Sequence, residues 1–287
     1  MLLATGCFYG LQLTLNKVAT TGGIPPIPLI FWTALGSGLV LFAINAFRGQ
    51  YPRFDFAHVR AYLLVGVIGC GGPYILLAYV APKIPAGTVA LTLALVPMVV
   101  YGLALLMRME GFRWLRFSGV VLGFAGMVLI VAPDASLPEP SMGLWVLLCL
   151  AGPLCFALSA IAGDKWRPPE TDSLAMAGGA LLTGALFCLI VTAISGEWWF
   201  FEGPFDWADA SIPIIVVIQV INWTMFFATI RLAGAVFYST VSYPETLCGI
   251  AWGYLIFSET HSGWVWGALV LLLAGLYLVN RRSKDTG

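Results

Sequence analysis

Apolar runs of about twenty residues follow one another along this chain, and runs of that length restrict the backbone more than any other feature of the sequence. Residues 27–47 read IPLIFWTALGSGLVLFAINAF and residues 86–107 read AGTVALTLALVPMVVYGLALLM, neither with a charged side chain. Crossing about 30 Å of hydrocarbon takes about twenty helical residues, and inside it every backbone N–H and C=O must bond within the protein. Only helices and closed barrels meet that condition. Barrel strands are short and alternate in polarity, whereas these runs are continuous, so an all-α integral membrane protein is expected. Composition agrees: 60% of the 287 residues are hydrophobic and 10% charged, where soluble domains carry about a quarter. The mean hydropathy is +0.92.

Charged and Pro/Gly-rich breaks predict ten transmembrane helices, at roughly 2–19, 27–47, 61–82, 86–107, 115–132, 143–162, 173–195, 210–230, 234–257 and 262–280. The first begins without preceding positive charge or a small-residue cleavage site, and so reads as a span rather than a removable leader. Half a chain apart, two stretches repeat each other. Ala81, Ala86, Gly87, Val89 and Pro97 recur 147 residues later as Ala228, Ala233, Gly234, Val236 and Pro244. Further on, Glu110 stands as far before Ala125-Gly126 as Glu259 before Ala274-Gly275. The expected organisation is a five-helix repeat over 1–133, a linker over 134–142, a second repeat over 143–282 and a tail over 283–287. The small residues of the fifth and tenth spans are read as packing positions, because they let helix backbones approach closely.

Orientation follows from Lys and Arg, which are retained in cytoplasmic loops. With both termini cytoplasmic, the inner side receives Arg48, Arg53, Arg60, Arg108, Arg113, Arg116, Lys165, Arg167, Arg231, Arg281, Arg282 and Lys284, leaving Lys17 and Lys83 outside. The outer loops then carry Asp134, Glu139, Glu197, Glu202, Asp206, Asp209 and Glu259. A repeat of five spans is odd, so the second copy enters the membrane upside down relative to the first. A multi-pass protein of the cell (inner) membrane is expected.

This layout of two five-span halves, each with a Pro-ended fourth helix, a following Glu turn and a Gly-containing fifth helix, resembles the EamA-type branch of the drug/metabolite transporter superfamily. Within it the chain is most similar to the YddG-type exporters of aromatic amino acids. The resemblance covers nearly the whole chain and is strongest over 77–131 and 224–279. It implies a central cavity lined by the third, fourth, eighth and ninth spans, with the first and sixth contributing. Function is then export of small amphipathic metabolites by alternating access.

Polar residues on apolar faces nominate the lining. Tyr9, Gln12 and Asn16 share one face of the first span, suited to hydrogen-bonding a substrate or to holding the bundle. Gln219, Asn222, Trp223 and Phe226 form a mixed stripe on the eighth span, the mixture that suits an amphipathic aromatic ligand. Tyr79, at the repeat-equivalent position of Phe226, and Tyr74 extend that aromatic wall. Glu245 sits mid-span after Pro244, where an ionised carboxylate is costly unless it faces a cavity or partner. It is assigned to the substrate's ammonium group or to proton uptake, against the plainer role of a carboxyl bonded to an amide such as Asn222. Its repeat counterpart is Met98, so the acid breaks the pseudo-symmetry. Tyr238 and Ser242 lie near its face, and Thr88 and Thr92 are weaker candidates because a Thr hydroxyl can bond its own helix. Pro73, Pro97, Pro153 and Pro244 are hinge candidates, since each removes an intrahelical hydrogen bond.

The remaining features read as structural. Lys17 is expected to snorkel to the headgroups, the aromatic cluster from Trp198 to Trp207 to rest at the interface, and His58 and His261 to be isolated loop residues. Cys7, Cys70, Cys149, Cys155, Cys188 and Cys248 fall inside apolar runs with no metal-ligand spacing and no disulfide position. Zero formal net charge and the lack of a basic stripe exclude a nucleic-acid partner. There is no phosphate loop and no dinucleotide fingerprint, so no cofactor is expected and energy comes from gradients or a partner. No nucleophile–base pair or metal set supports an enzyme. A passive channel or an accessory subunit remains open on residues alone. The partners expected are a small-molecule substrate and the lipid bilayer, and nothing in the sequence requires a second copy of the chain.

Overall fold

A computed structural model describes residues 2–131, 139, 141–169, 171–201 and 205–280. Asp134, Glu202, Arg281, Arg282, Lys284, the 283–287 tail and most of the 134–142 linker lie outside the described residues. The described residues are helical, without a strand. The helices are α1 (Leu2–Thr21), α2 (Pro26–Phe47), α3 (Phe56–Val80), α4 (Ala86–Leu106), α5 (Trp114–Val131), α6 (Met142–Lys165) and α7 (Ser173–Ser195). A 51-residue apolar stretch, Trp207–Phe257, comes next, and α10 (Gly263–Asn280) closes the chain. Gly234 divides the long stretch: at φ 80°, ψ 168° its backbone is open to glycine alone, separating α8 (207–233) from α9 (235–257).

Six stretches are long and apolar enough to cross a membrane, the 51-residue one counted once, and α5 and α10 are shorter apolar helices. The helix α1 is not among the six, because Gln12, Asn16 and Lys17 dilute its hydropathy; those amides are nonetheless buried, at 1% exposure each. Polar residues start and stop the helices where the chain leaves its apolar runs. Asp55 accepts from the N–H groups of Ala57 and His58, Asp172 accepts from that of Leu174, and Asp206 and Asp209 form a reciprocal cap at the start of α8. Gly196 and Ser258 end their helices in left-handed geometry. Large apolar side chains such as Leu39, Phe42, Val121, Phe124, Leu186, Ile190 and Val217 face outward. A belt of that kind is what a lipid-solvated bundle presents.

All four hinge-candidate prolines follow a helical irregularity. Pro73 follows a π-helical segment at Gly66–Gly71, Pro97 a turn at Ala94 and Leu95, Pro153 a junction at Leu150, and Pro244 a 3-10 turn at Ser239–Val241. A proline ring displaces the carbonyl four residues earlier and leaves it without its helical donor, and those carbonyls fall within or next to each irregular turn. Helix pairs α2–α7 and α5–α10 make the most extensive contacts, and α1 runs along α9. In the α5–α10 pair Gly119 and Gly275 lie so close that a Cβ on either would stand 2.6 Å from the other's carbonyl oxygen. Gly126 meets the Ala268 carbonyl in the same seam.

Candidate functional site

A chamber of about 60 Å³ lies where α1, α3, α4, α6, α8 and α9 meet. The helix α1 supplies Tyr9, Gln12 and Leu13, and α3 supplies Gly69, Tyr74 and Leu77. From α4 come Leu93 and Val96, from α6 Phe156, Ser159 and Ala160, from α8 Trp223 and Phe226, and from α9 Tyr238, Ser239, Val241, Ser242 and Glu245. Three elements of each half of the chain therefore build one wall. A water needs about 10–15 Å³ of such space, so the chamber has room for a few, while pockets for small organic ligands measure about 300–1,000 Å³. An organic solute enters only if the helices part.

The walls are aromatic. Tyr74 meets Phe156 edge-on at 5.5 Å, and Phe226 stands at 5.4 Å from Trp223 and 4.8 Å from Tyr238. The Tyr238 hydroxyl donates to that of Tyr9 at 3.2 Å, and the buried Gln12 amide has no partner among the described residues. Glu245 is 8% exposed, faces the chamber, and makes no hydrogen bond or ion pair among the described residues. The Trp223 indole N–H, on the same wall, is buried with no acceptor among them. The lining contains no Lys, Arg or His.

The structure thus brings Tyr9, Gln12, Tyr74, Trp223, Phe226, Tyr238, Ser242 and Glu245 around one space and places the other candidates elsewhere. Gln219 is fully buried between α8 and α2, accepting from the Ser37 hydroxyl at 3.0 Å. Asn16 and Asn222 are buried off the chamber, their amides without partners among the described residues. Tyr79 is 39% exposed and donates to the Glu197 carboxylate at 3.3 Å, so it forms no part of the wall. The two amide stripes divide because each face is wider than the opening it meets. Phe156, Ser159, Ser239, Leu93 and Val96 were not nominated. A lone Ser or an apolar residue leaves no periodic signal on a helix that is apolar all round.

Three expectations about residues beyond the chamber change. Lys17 does not snorkel outward: its ammonium pairs with Glu259 at 2.6 Å and donates to the Ile84 carbonyl at 3.3 Å, over the Phe257 ring. Glu259 also accepts from the N–H groups of Ala86 at 2.8 Å and Gly87 at 3.2 Å, capping α4, whose own N-cap is Pro85. At the start of α9 the Ala235 N–H donates to Asp164 at 3.0 Å in the same manner. His58 is buried and bridges Asp55 at 2.6 Å and Thr171 at 2.9 Å, and the hydrogen bonds it offers hold the Asp55 carboxyl below the usual range. His261 is half-buried beneath Gly87, and that burial pushes its imidazole below the ordinary histidine value. Finally, Cys7 on α1 and Cys248 on α9 place their sulfurs 2.8 Å apart, a proximity that no spacing in the sequence discloses.

An apolar helical bundle thus surrounds one aromatic chamber. The EamA-like transporter family model matches residues 1–132 and 143–281, and the chain belongs to that family. A curated relative, "Uncharacterized transporter YvbV" of Bacillus subtilis (strain 168), is 25% identical over 205 residues, 70% of this chain and 65% of its own length. The matched region thus spans less than two-thirds of that relative's length. A solved structure titled "Crystal structure of protein" superposes with a TM-score of 0.67 at 18% identity, covering 97% of each chain. That likeness is one of fold.

Proposed function

We propose that this chain is a secondary transporter that exports small amphipathic metabolites, aromatic amino acids being the first candidates, across the cytoplasmic membrane by alternating access. The observation that carries this reading is the chamber: both halves build it, its walls are aromatic, and it contains one carboxyl group, that of Glu245, without a partner among the described residues and in a span otherwise free of charge. A buried acid facing a cavity is the usual mark of a substrate or ion path.

The reading includes ten crossings in two oppositely inserted halves, over 1–133 and 143–282, with both termini cytoplasmic. Three observations support it. One family model matches each half. The helices pair like with like, α2 on α7 and α5 on α10, as a twofold relation requires. Glu259, just beyond the end of α9, caps the start of α4, so these two equivalent helices run antiparallel. Inverted halves place a site at their interface, and rocking them exposes it to each side in turn.

Purified protein in liposomes, assayed for efflux and counterflow of labelled amino acids with and without a proton gradient, tests the proposal. A carrier saturates and shows counterflow; unsaturable flux would mean a channel, and no flux of amino acids or of the amines considered below an accessory subunit. Accessibility labelling tests the topology separately: the Arg108–Arg116 turn and the Glu259–His261 turn must face opposite compartments.

A further inference from the structure

We infer that the chamber selects an amphipathic organic cation: an aryl or alkyl amine whose carboxylate is absent or masked as an amide, in preference to a free amino acid. This rests on the carrier reading and, within small amphipathic metabolites, puts amines in the place of the free amino acids named first.

The argument starts from charge. Glu245 is the one acid in the lining, and no Lys, Arg or His accompanies it. The cations on neighbouring elements are engaged elsewhere. Lys17 is bound to Glu259 and the Ile84 carbonyl, and Arg167 donates to the Phe227 carbonyl at 2.9 Å and to the Thr171 carbonyl. A buried carboxylate without a countercharge is unfavourable, so in its ionised form it calls for a cation from outside the chain. The walls are built for the same guest. Tyr9, Tyr74, Tyr238, Trp223 and Phe226 line the same space as the acid, and aromatic rings attract an ammonium through their faces.

A zwitterion fits less well. Its ammonium would satisfy Glu245, but its carboxylate would then stand within a few ångströms of a like charge in a desolvated space. The donors available to it are neutral, among them the Trp223 indole N–H, the amide of Gln12 and the hydroxyls of Ser159 and Ser242; that of Ser239 already donates to the Val236 carbonyl. Replacing the carboxylate by hydrogen or by a carboxamide removes the repulsion, and the carboxamide oxygen still accepts from an indole N–H.

Four matched probes separate the possibilities: tryptamine, tryptophanamide, tryptophan and indole-3-propionate, titrated against purified protein in lipid nanodiscs by calorimetry. The two amines should bind on the order of tenfold or more tighter than tryptophan, the propionate should not bind, and Glu245→Gln should abolish the preference. Melting of the Glu245→Gln variant within about 2 °C of the parent shows that it is folded. Should it misfold, Glu245→Asp, which keeps the charge and must keep the preference, serves instead. Tryptophan binding as tightly as tryptamine, a preference that survives Glu245→Gln, or no binding by any probe overturns the inference. Counterflow in liposomes with the permanently charged N,N,N-trimethyltryptamine, which does not leak through lipid, tests transport independently. Amine binding that depends on Glu245 without counterflow refutes the carrier reading alone. Counterflow of tryptophan with none of the cation refutes the substrate class alone.

Discussion

Replacing Glu259 by alanine should destabilise the protein by about 4 kcal/mol, and the structure shows where each part of that figure arises. The Lys17 and Glu259 side chains are 15% and 8% exposed, and their 2.6 Å pair is largely withdrawn from solvent. Removing one partner of a buried pair leaves the other uncompensated, a loss of about 3–5 kcal/mol. The lower end applies because Lys17 keeps some exposure and the Ile84 carbonyl at 3.3 Å. The N–H groups of Ala86 and Gly87 lose their acceptor as well, and a lost helix cap adds about 1 kcal/mol. At about 2–4 °C per kcal/mol for a chain of this size, Glu259→Ala in detergent should melt about 8–16 °C below the parent. The cycle with Lys17→Met separates pair from cap: the double variant should recover about 2 kcal/mol relative to the sum of the singles, because no unpaired charge remains. Melting of Glu259→Ala within about 2 °C of the parent, or additive losses in the cycle, would refute the view that this pair holds α1, α4 and the α9–α10 turn together.

Three further outcomes are expected. Pro97→Ala and Pro244→Ala should each lower transport severalfold while shifting melting by less than about 1 kcal/mol, since alanine repairs the helical ladder that each proline interrupts; full transport in both variants would remove the hinge role. Mild oxidation should link Cys7 to Cys248, seen as a joined peptide by mass spectrometry and lost in Cys7→Ser; two separately alkylated cysteines after oxidation would contradict the close α1–α9 contact. His261 has a folded value below its ordinary one because burial penalises the cation. The unfolded chain therefore binds more protons as pH falls through about 6.5. Stability should drop below that pH, and His261→Gln should flatten the drop in a melting series. An unchanged slope would point to other groups.

Much of the helical layout was legible because lipid imposes one rule on every span: an apolar stretch of a given length, ended by charge or proline. Pro82 and Pro85 marked the break before α4, and the repeat of Gly87 as Gly234 marked the one before α9. Boundaries slipped where the rule has no purchase. The third span begins at Phe56, a turn or more earlier than its hydropathy suggests, because Asp55 caps it with an amphipathic first turn. At the site, Glu245 and the aromatic residues stood out as large or charged groups on faces that lipid would not tolerate. Gln219 carried the same signal for a different reason, a hydrogen bond to Ser37 across two helices. Periodicity reports that a face is buried against protein; it does not report whether the neighbour is a helix or a void. Ser159 and Val96 show the converse, since a void needs no polar residue to border it. The Lys17–Glu259 pair escaped notice because 242 residues separate its members and only the folded bundle joins them.

The contact between α1 and α9 has a further consequence. A Cβ on Gly10 would stand 2.6 Å from the Gly249 backbone nitrogen, and one on Gly6 would stand 2.4 Å from the Pro244 ring. Two backbones that touch so directly have no flexible side chains between them to absorb sliding, so the helices travel as one plank. Tyr9 rides on one edge of that plank, with Tyr238 and Glu245 on the other. In the carrier reading proposed above, Glu245 keeps its spacing to Tyr9 across this contact, while a bend at Pro244 moves Tyr238 relative to both.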